Sequence, residues 1–139
     1  MEYQVKTAHG TLFCRREGSG PLLLLIHGVG CDSEFFREAS AILSKKFTVI
    51  SYDRRGYSRS IPAEGETDFS VWAHADDAAE IIGAEPKRKH EEEICLEESE
   101  PQMNGAEEQS KVKDGQNTGV FVAGCSAGGA VAAALATKY

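Results

Sequence analysis

The stretch "FVAGCSAGGA" at residues 121–130 contains the side chain with the clearest chemical potential, that of Ser126. Residues 124–128 fit the pattern G-x-S-x-G, between an apolar run and an alanine-rich segment. Gly124 and Gly128 allow a turn sharp enough to expose a serine hydroxyl at the start of a helix, where free backbone N–H groups favour an oxyanion. Ser126 is therefore the candidate nucleophile, with Cys125 packed beside it. A small-residue turn into a helix is the alternative.

A second stretch, "LLLLIHGVG" at residues 22–30, could supply donors to the same site. Its glycines keep the approach open, and the backbone N–H of Val29 or of its neighbour Gly28 could point toward an oxyanion. His27 could act as a base, but a histidine here more often orders the loop. The third stretch is "DRRGYSRS" at residues 53–60. Asp53 and the arginines of this stretch could be catalytic, although a turn around Gly56 tied by an Asp–Arg contact is the favoured interpretation.

The elements around these loops can be predicted from hydrophobic periodicity. Residues 3–7 and 11–17 read as a hairpin, and the continuous apolar run 22–26 is typical of a strand covered on both faces. Further strands are predicted at 47–51 and 119–123. A helix capped by Asp32 or Ser33 should bury two sets of positions: Phe35, Ala39 and Ile42, and Phe36 and Leu43. A second helix should bury Trp72, Ala75, Ala79 and Ile82 and end at Gly83, and a third should follow Ser126.

Strands that alternate with helices in this order predict the α/β fold class: a mostly parallel sheet with an N-terminal antiparallel hairpin, in a three-layer sandwich. The three loops then lie beyond the carboxyl ends of parallel strands, where open sheets of this kind place their chemistry.

Residues 85–118 differ in composition from the rest of the chain. They contain ten acidic and five basic residues, so they carry −5 of the net charge of −7, and their few apolar residues follow no period. The expected organisation is one domain formed by residues 1–84 and 119–139, interrupted by a disordered acidic insertion with a short helix around Glu91–Glu98.

Composition excludes several classes of function. The net charge of −7 argues against nucleic-acid and anionic-membrane partners, and no membrane-length apolar run or signal peptide is visible. Four cysteines without a CxxC pair predict reduced thiols and a cytoplasmic location. The histidines (His9, His27, His74 and His90) lack metal-site spacing. The residues "GVGCDS" supply only two glycines of a G-x-G-x-x-G nucleotide fingerprint.

Together the three loops resemble those of the α/β-hydrolase superfamily, and "YDRRG" with "ADDAA" is most similar to a large group of bacterial-type hydrolases. The resemblance covers roughly residues 10–84 and 119–138. It implies a hydrolase that attacks a small ester-like substrate through Ser126, with backbone N–H groups of Val29 and Ala127 as the oxyanion hole. His27, Gly28, Asp53, Gly124 and Gly128 would support these loops. No cofactor and no metal are implied.

The sequence departs from the family in one respect. The family's acid and histidine follow the nucleophile along the chain, whereas "AGGAVAAALATKY" after Ser126 contains no Asp, Glu or His. The sequence therefore predicts a domain truncated after this turn, with impaired hydrolase activity. The alternative is a non-catalytic remnant or binding module. In either case residues 119–123 would form an apolar sheet edge, open to self-association or to a partner strand.

Overall fold

The computed structural model describes residues 1–97 and 119–139, with side chains for 1–85 and 119–139. Its strands are β1 (Glu2–Thr7), β2 (Gly10–Glu17), β3 (Leu22–Ile26), β4 (Thr48–Tyr52), β5 (Ile61–Pro62) and β6 (Phe121–Gly124). A 3₁₀ turn (Ser33–Phe36) leads into α1 (Arg37–Leu43), and α2 (Val71–Glu97) and α3 (Ala127–Lys138) follow. None of the described helices is both long and apolar enough to cross a membrane.

The sheet has the order β1-β2-β4-β3-β6, and the two-residue strand β5 pairs with β2. The pairs β1–β2, β2–β4 and β2–β5 are antiparallel, whereas β3 is parallel to both β4 and β6. The predicted α/β class and N-terminal hairpin are therefore confirmed, and the described sheet is mixed. β5 was not predicted, because two residues show no periodicity.

The apolar run of β3 is buried on both faces, as expected for a central strand. Leu24 and Ile26 pack into a cluster with residues of α2 and α3, while Leu23 and Leu25 pack on the opposite face with Phe36 of the 3₁₀ turn. Successive side chains of a strand point to opposite faces, so one short run joins the two outer layers. This gives the three-layer arrangement.

The buried face predicted for the first helix is partly wrong. Phe36 and Leu43 pack on the sheet, but Phe35 and Ile42 are 59% and 68% exposed, and Ala39 is also exposed. Asp32 does cap this segment, since its carboxylate accepts the Glu34 N–H at 3.0 Å. The segment begins as a tighter 3₁₀ turn, which changes the direction of every later side chain relative to a continuous α-helix.

The second helix differs from the prediction at Trp72 and in length. Trp72 is 56% exposed, whereas Ala75 is fully buried and Ala79 and Ile82 are partly buried against the same cluster, as predicted. Ala78 and Ile81 are fully buried as well, because alanines at 75, 78 and 79 fit two neighbouring stripes and the pattern did not show which is the more buried. Gly83 does not end the helix, which continues to Glu97 and so includes the first part of the acidic segment. The rest of that segment lies outside the described residues.

Glu85, the first residue of the acidic segment, belongs to the folded part of the chain. It is buried, and its carboxylate accepts hydrogen bonds from Tyr3 Oη and Arg16 Nε, both at 3.1 Å. These contacts fasten α2 to the edge hairpin formed by β1 and β2.

The buried pair Arg55–Asp77 gives a stability prediction. Arg55 Nη2 and Nε lie 2.6 and 3.0 Å from the two carboxylate oxygens of Asp77, and both side chains are buried. Asp77→Ala leaves the buried Arg55 guanidinium with Glu66 as its only carboxylate partner among the described residues, so we expect the free energy of unfolding to fall by about 3 kcal/mol. Urea denaturation measures this change.

The neighbouring Asp76 provides the matched control. It pairs with Lys138 at 2.5 Å on the surface, so Asp76→Ala should lower the free energy of unfolding by less than about 1 kcal/mol. Equal losses in the two variants would contradict the assignment of Asp77 as the buried anchor of the loop after β4.

Candidate active site

Sheet register brings the three candidate loops to one edge. Ile26, the last residue of β3, is the register partner of both Tyr52 in β4 and Gly124 in β6. The three strands are parallel, so residues 27–30, 53–60 and 125–129 leave the sheet at the same level. The site predicted from three separate stretches is therefore one place in the fold.

Ser126 occupies a strained turn between β6 and α3. Its backbone has φ 54° and ψ −122°, a left-handed conformation that non-glycine residues rarely adopt. Such a conformation costs on the order of 1–3 kcal/mol and persists only where the surroundings impose it. The Ser126 side chain is exposed at the N-terminus of α3, and Gly129 N–H donates to its carbonyl at 2.9 Å.

The glycines of the motif are required by backbone packing. A Cβ on Gly124 would lie 2.1 Å from Gly128 O, and one on Gly128 would lie 2.1 Å from Ile26 O. A Cβ on Gly28 would lie 3.0 Å from Ser126 Cβ and 3.6 Å from its Oγ. The turn is therefore pressed against the end of β3 and against the 27–30 loop, with no room for side chains between the backbones.

The two implied oxyanion-hole residues border a common cleft. Val29 and Ala127 both line a cavity of about 730 Å³, and neither backbone N–H donates to an acceptor among the described residues. The Gly28 carbonyl is held by His27 Nδ1 at 2.7 Å and Arg54 Nη2 at 3.0 Å. Because the peptide is planar and trans, these two contacts also fix the Val29 N–H in the opposite direction.

His27 has no ring nitrogen left for base catalysis. Arg54 N–H donates to Nε2 at 2.9 Å, so the ring proton lies on Nδ1 and is donated to Gly28 O. Burial lowers the pKa of His27, which keeps the ring neutral. The ring thus joins the 27–30 loop to the loop after β4.

Asp53 anchors that second loop. Its buried carboxylate accepts the Ser33 N–H at 2.9 Å and Arg59 Nε at 2.8 Å. Burial opposes ionisation, but the hydrogen bonds from Arg59 and Ser33 outweigh it and lower the pKa of Asp53 to about 2. The Asp–Arg contact foreseen around Gly56 is thus found between Asp53 and Arg59, and it braces the loop.

Several cleft residues were not singled out from the sequence. Arg54, Tyr57 and His74 line the cavity beside Val29 and Ala127. The Arg54 guanidinium lies 4.4 Å from the centre of the Tyr57 ring, and His74 Nδ1 is buried without a hydrogen-bond partner. The sequence signal that could have found them is their position: Arg54 and Tyr57 follow β4, and His74 lies in the first turn of α2. Cys125 packs beside the turn against the Leu23–Leu25 cluster, and the His90 side chain lies outside those described.

Comparisons with known proteins agree with this architecture. The sequence profile described as "alpha/beta hydrolase fold" matches residues 21–89. YraK, an uncharacterized hydrolase of Bacillus subtilis (strain 168), is 43% identical over 65 residues, covering 47% of this chain and 24% of that protein. The 2-(acetamidomethylene)succinate hydrolase of Mesorhizobium japonicum is 40% identical over 72 residues, covering 52% of this chain and 25% of that protein.

A solved structure of the N-acyl homoserine lactonase AidH matches over 100% of this chain and 41% of its own, with a TM-score of 0.71 and 21% identity. At that identity the likeness shows the fold alone. The profile, the relatives and the sheet order show that the chain belongs to the α/β-hydrolase family. It spans about a quarter of the length of the curated relatives that it matches.

The glycine contacts predict opposite outcomes for two adjacent substitutions. In Gly128→Ala the new methyl group meets Ile26 O at 2.1 Å, so β3 and α3 must separate and the turn at Ser126 must relax. In Gly129→Ala the nearest atom is Gly124 O at 3.6 Å, an ordinary contact, and alanine favours the helix by up to about 1 kcal/mol. We expect the first variant to be clearly destabilised and the second to equal or exceed the parent in urea denaturation. Equal stability of both variants would contradict the packing described for the turn.

Asp53 predicts a pH dependence of stability. Its folded-state pKa of about 2 lies below its ordinary value of 3.8, so the ionised form stabilises the fold above about pH 4. This contribution, about 2 kcal/mol, is lost as the pH falls from 4 toward 2. In Asp53→Asn the free energy of unfolding should be lower at neutral pH and change less over that range. A variant with the same slope as the parent would show that Asp53 is not the group responsible.

Proposed function

We propose that this chain carries the nucleophile and oxyanion hole of a serine hydrolase that acts on an ester-like carbonyl. The observation that carries the proposal is the left-handed backbone of Ser126, with φ 54°, between a strand and a helix and against Gly28. A strained turn of this kind exposes a serine hydroxyl at the carboxyl edge of the sheet. Val29 and Ala127 border the same cleft, which supports a shared oxyanion site.

In the proposed reaction, Ser126 Oγ attacks the carbonyl carbon and loses its proton to a base. The carbonyl electron pair moves to the oxygen, and the resulting oxyanion is stabilised by the N–H groups of Val29 and Ala127 and by the positive end of α3. Collapse of this intermediate expels the alcohol and leaves an ester on Ser126, which water then hydrolyses. His27 and Arg54 contribute by fixing the Gly28–Val29 peptide.

No base is hydrogen-bonded to Ser126 among the described residues. Ser126 Oγ makes no hydrogen bond to any of them, and both ring nitrogens of His27 are occupied. A serine hydroxyl is a weak nucleophile without an adjacent base, and the residual acceleration from an oxyanion hole and binding is roughly 10³–10⁴ in the well-studied triads. We therefore propose that the chain reacts slowly unless an acid and a histidine are supplied to it.

Two relatives support a hydrolytic reaction without defining the substrate. One is named only as a hydrolase, and the name of the other gives a succinate derivative as what it acts on. A small-molecule substrate fits the cavity of about 730 Å³. The free thiols of Cys31 and Cys125 support the cytoplasmic location that we propose.

The second candidate is a non-catalytic module that binds another strand. Within the described residues β6 pairs only with β3, and Phe121 on this strand is 54% exposed. An apolar strand with one unpaired edge is a template for pairing with a second copy or a partner. This candidate requires no reaction at Ser126.

Labelling with a fluorophosphonate probe separates the two candidates. We expect slow labelling of the purified chain, acceleration by added imidazole acting as an external base, and loss of labelling in Ser126→Ala. Cys125→Ala is the control and should keep the label. Label that persists in Ser126→Ala would contradict the nucleophile. A dimer in light scattering that never labels would favour the binding module.

A further inference from the structure

The cleft beside Ser126 has a charge opposite to that of the chain. Its lining residues include Arg54 and Arg55 and no aspartate or glutamate, although the chain as a whole carries a net charge of −7. Ala127, at the positive end of the twelve-residue helix α3, lies on the same wall. This cleft therefore favours an anion.

The two arginines of the cleft differ in their partners. The charge of Arg55 is balanced by two carboxylates, because its guanidinium contacts Asp77 at 2.6 Å and Glu66 at 3.2 Å. Arg54 is only 3% exposed and has no carboxylate partner among the described residues. A buried charge without a counter-ion is costly, so Arg54 is the group in the cleft that an anionic ligand would satisfy.

The contacts of Arg54 leave part of its guanidinium open to a ligand. Nη2 donates to Gly28 O at 3.0 Å and Nε is buried without an acceptor, whereas Nη1 is not buried and has no acceptor among the described atoms. Tyr57 fixes the plane of the group, whose centre lies 4.4 Å from that of the ring. The N–H groups of Nη1 are therefore the part of this planar cation that a carboxylate oxygen can reach.

Arg54 is also close to the reacting group. The residue whose carbonyl it contacts, Gly28, packs against Ser126, and a Cβ there would lie 3.6 Å from Ser126 Oγ. Arg54 and Ala127, the residue after Ser126, line the same cleft, so one small molecule could contact both groups.

We propose that Arg54 binds a carboxylate of the substrate, so that the chain takes short ester or amide derivatives of carboxylic acids that carry a second, ionised carboxylate. This inference rests on the proposed function, because it deepens the description of the same cleft. Hydrolysis of such a substrate gives a dicarboxylate, which makes succinate a product-like probe that needs no turnover. Arg54 is a binding and specificity residue in this account.

Titration with succinate, followed by NMR of the backbone amides, tests the proposal. We expect saturable shifts at Val29, Ala127 and Tyr57 in the parent chain and no such shifts with the neutral diamide of succinic acid. Arg54→Gln should weaken succinate binding roughly tenfold or more. Arg54→Lys should bind with intermediate affinity, because lysine keeps the positive charge but lacks the planar guanidinium group. The control is Arg37→Gln, which removes an exposed arginine whose one carboxylate partner within the described part of the chain is Glu34, and it should leave binding unchanged.

Each outcome decides the proposal. Unchanged affinity in Arg54→Gln, shifts at residues remote from the cleft, or equal binding of the diamide would overturn it, and tighter binding of inorganic phosphate than of succinate would overturn the carboxylate assignment. If Arg54→Gln does not fold, the amide shifts that succinate causes in the parent chain still decide whether the anion enters this cleft. Ser126→Ala should bind succinate normally. Fluorophosphonate labelling therefore tests the proposed nucleophile, and succinate binding tests Arg54, so that one proposal can fail without the other.

Discussion

The approach of two backbones to the carboxyl end of β3 is the constraint on which the site depends. Cys125 N–H donates to Ile26 O at 3.0 Å, and a Cβ on Gly128 would lie 2.1 Å from that same oxygen. With Gly124 pressed equally close to Gly128, the chain cannot pass from β6 into α3 by a gradual bend. Ser126 is therefore forced into a left-handed conformation, and its side chain is placed against the 27–30 loop.

Buried charges then hold the other loops around this turn. The buried Asp53 binds the partly exposed Arg59, the buried Arg55 binds Asp77 of α2, and both pairs have the several hydrogen bonds that make a buried charge tolerable. Arg54 departs from this rule, because its contacts are a carbonyl and an aromatic ring. The unbalanced charge lies in the cleft rather than in the core. The same network that fixes the Gly28–Val29 peptide thus contains the one arginine of the cleft that has no carboxylate partner among the described residues.

Much of this could be predicted from the sequence, because strong local patterns encode it. The continuous apolar run of β3, the alternation of strands and helices and the G-x-S-x-G turn specify the fold class and the meeting of three loops at one sheet edge. The more buried stripe of α2 could not be predicted, since alanines at 75, 78 and 79 fit two faces. The sequence also could not show that Gly83 lies within α2 and does not end it. A Cβ on Gly83 would meet nothing within 4 Å, so no clash opposes a helix there. The role of Arg54 depends on which neighbours accept its hydrogen bonds, and spacing along the chain does not contain that information.

Glycine-mediated backbone contacts at the end of β3 impose the strained conformation of Ser126. A high-resolution crystal structure of the chain measures that conformation directly. We expect φ close to +54° at Ser126, α3 starting at Ala127 and Gly28 in contact with the serine. A right-handed helical φ at Ser126, with α3 starting earlier and Gly28 away from the serine, would contradict it.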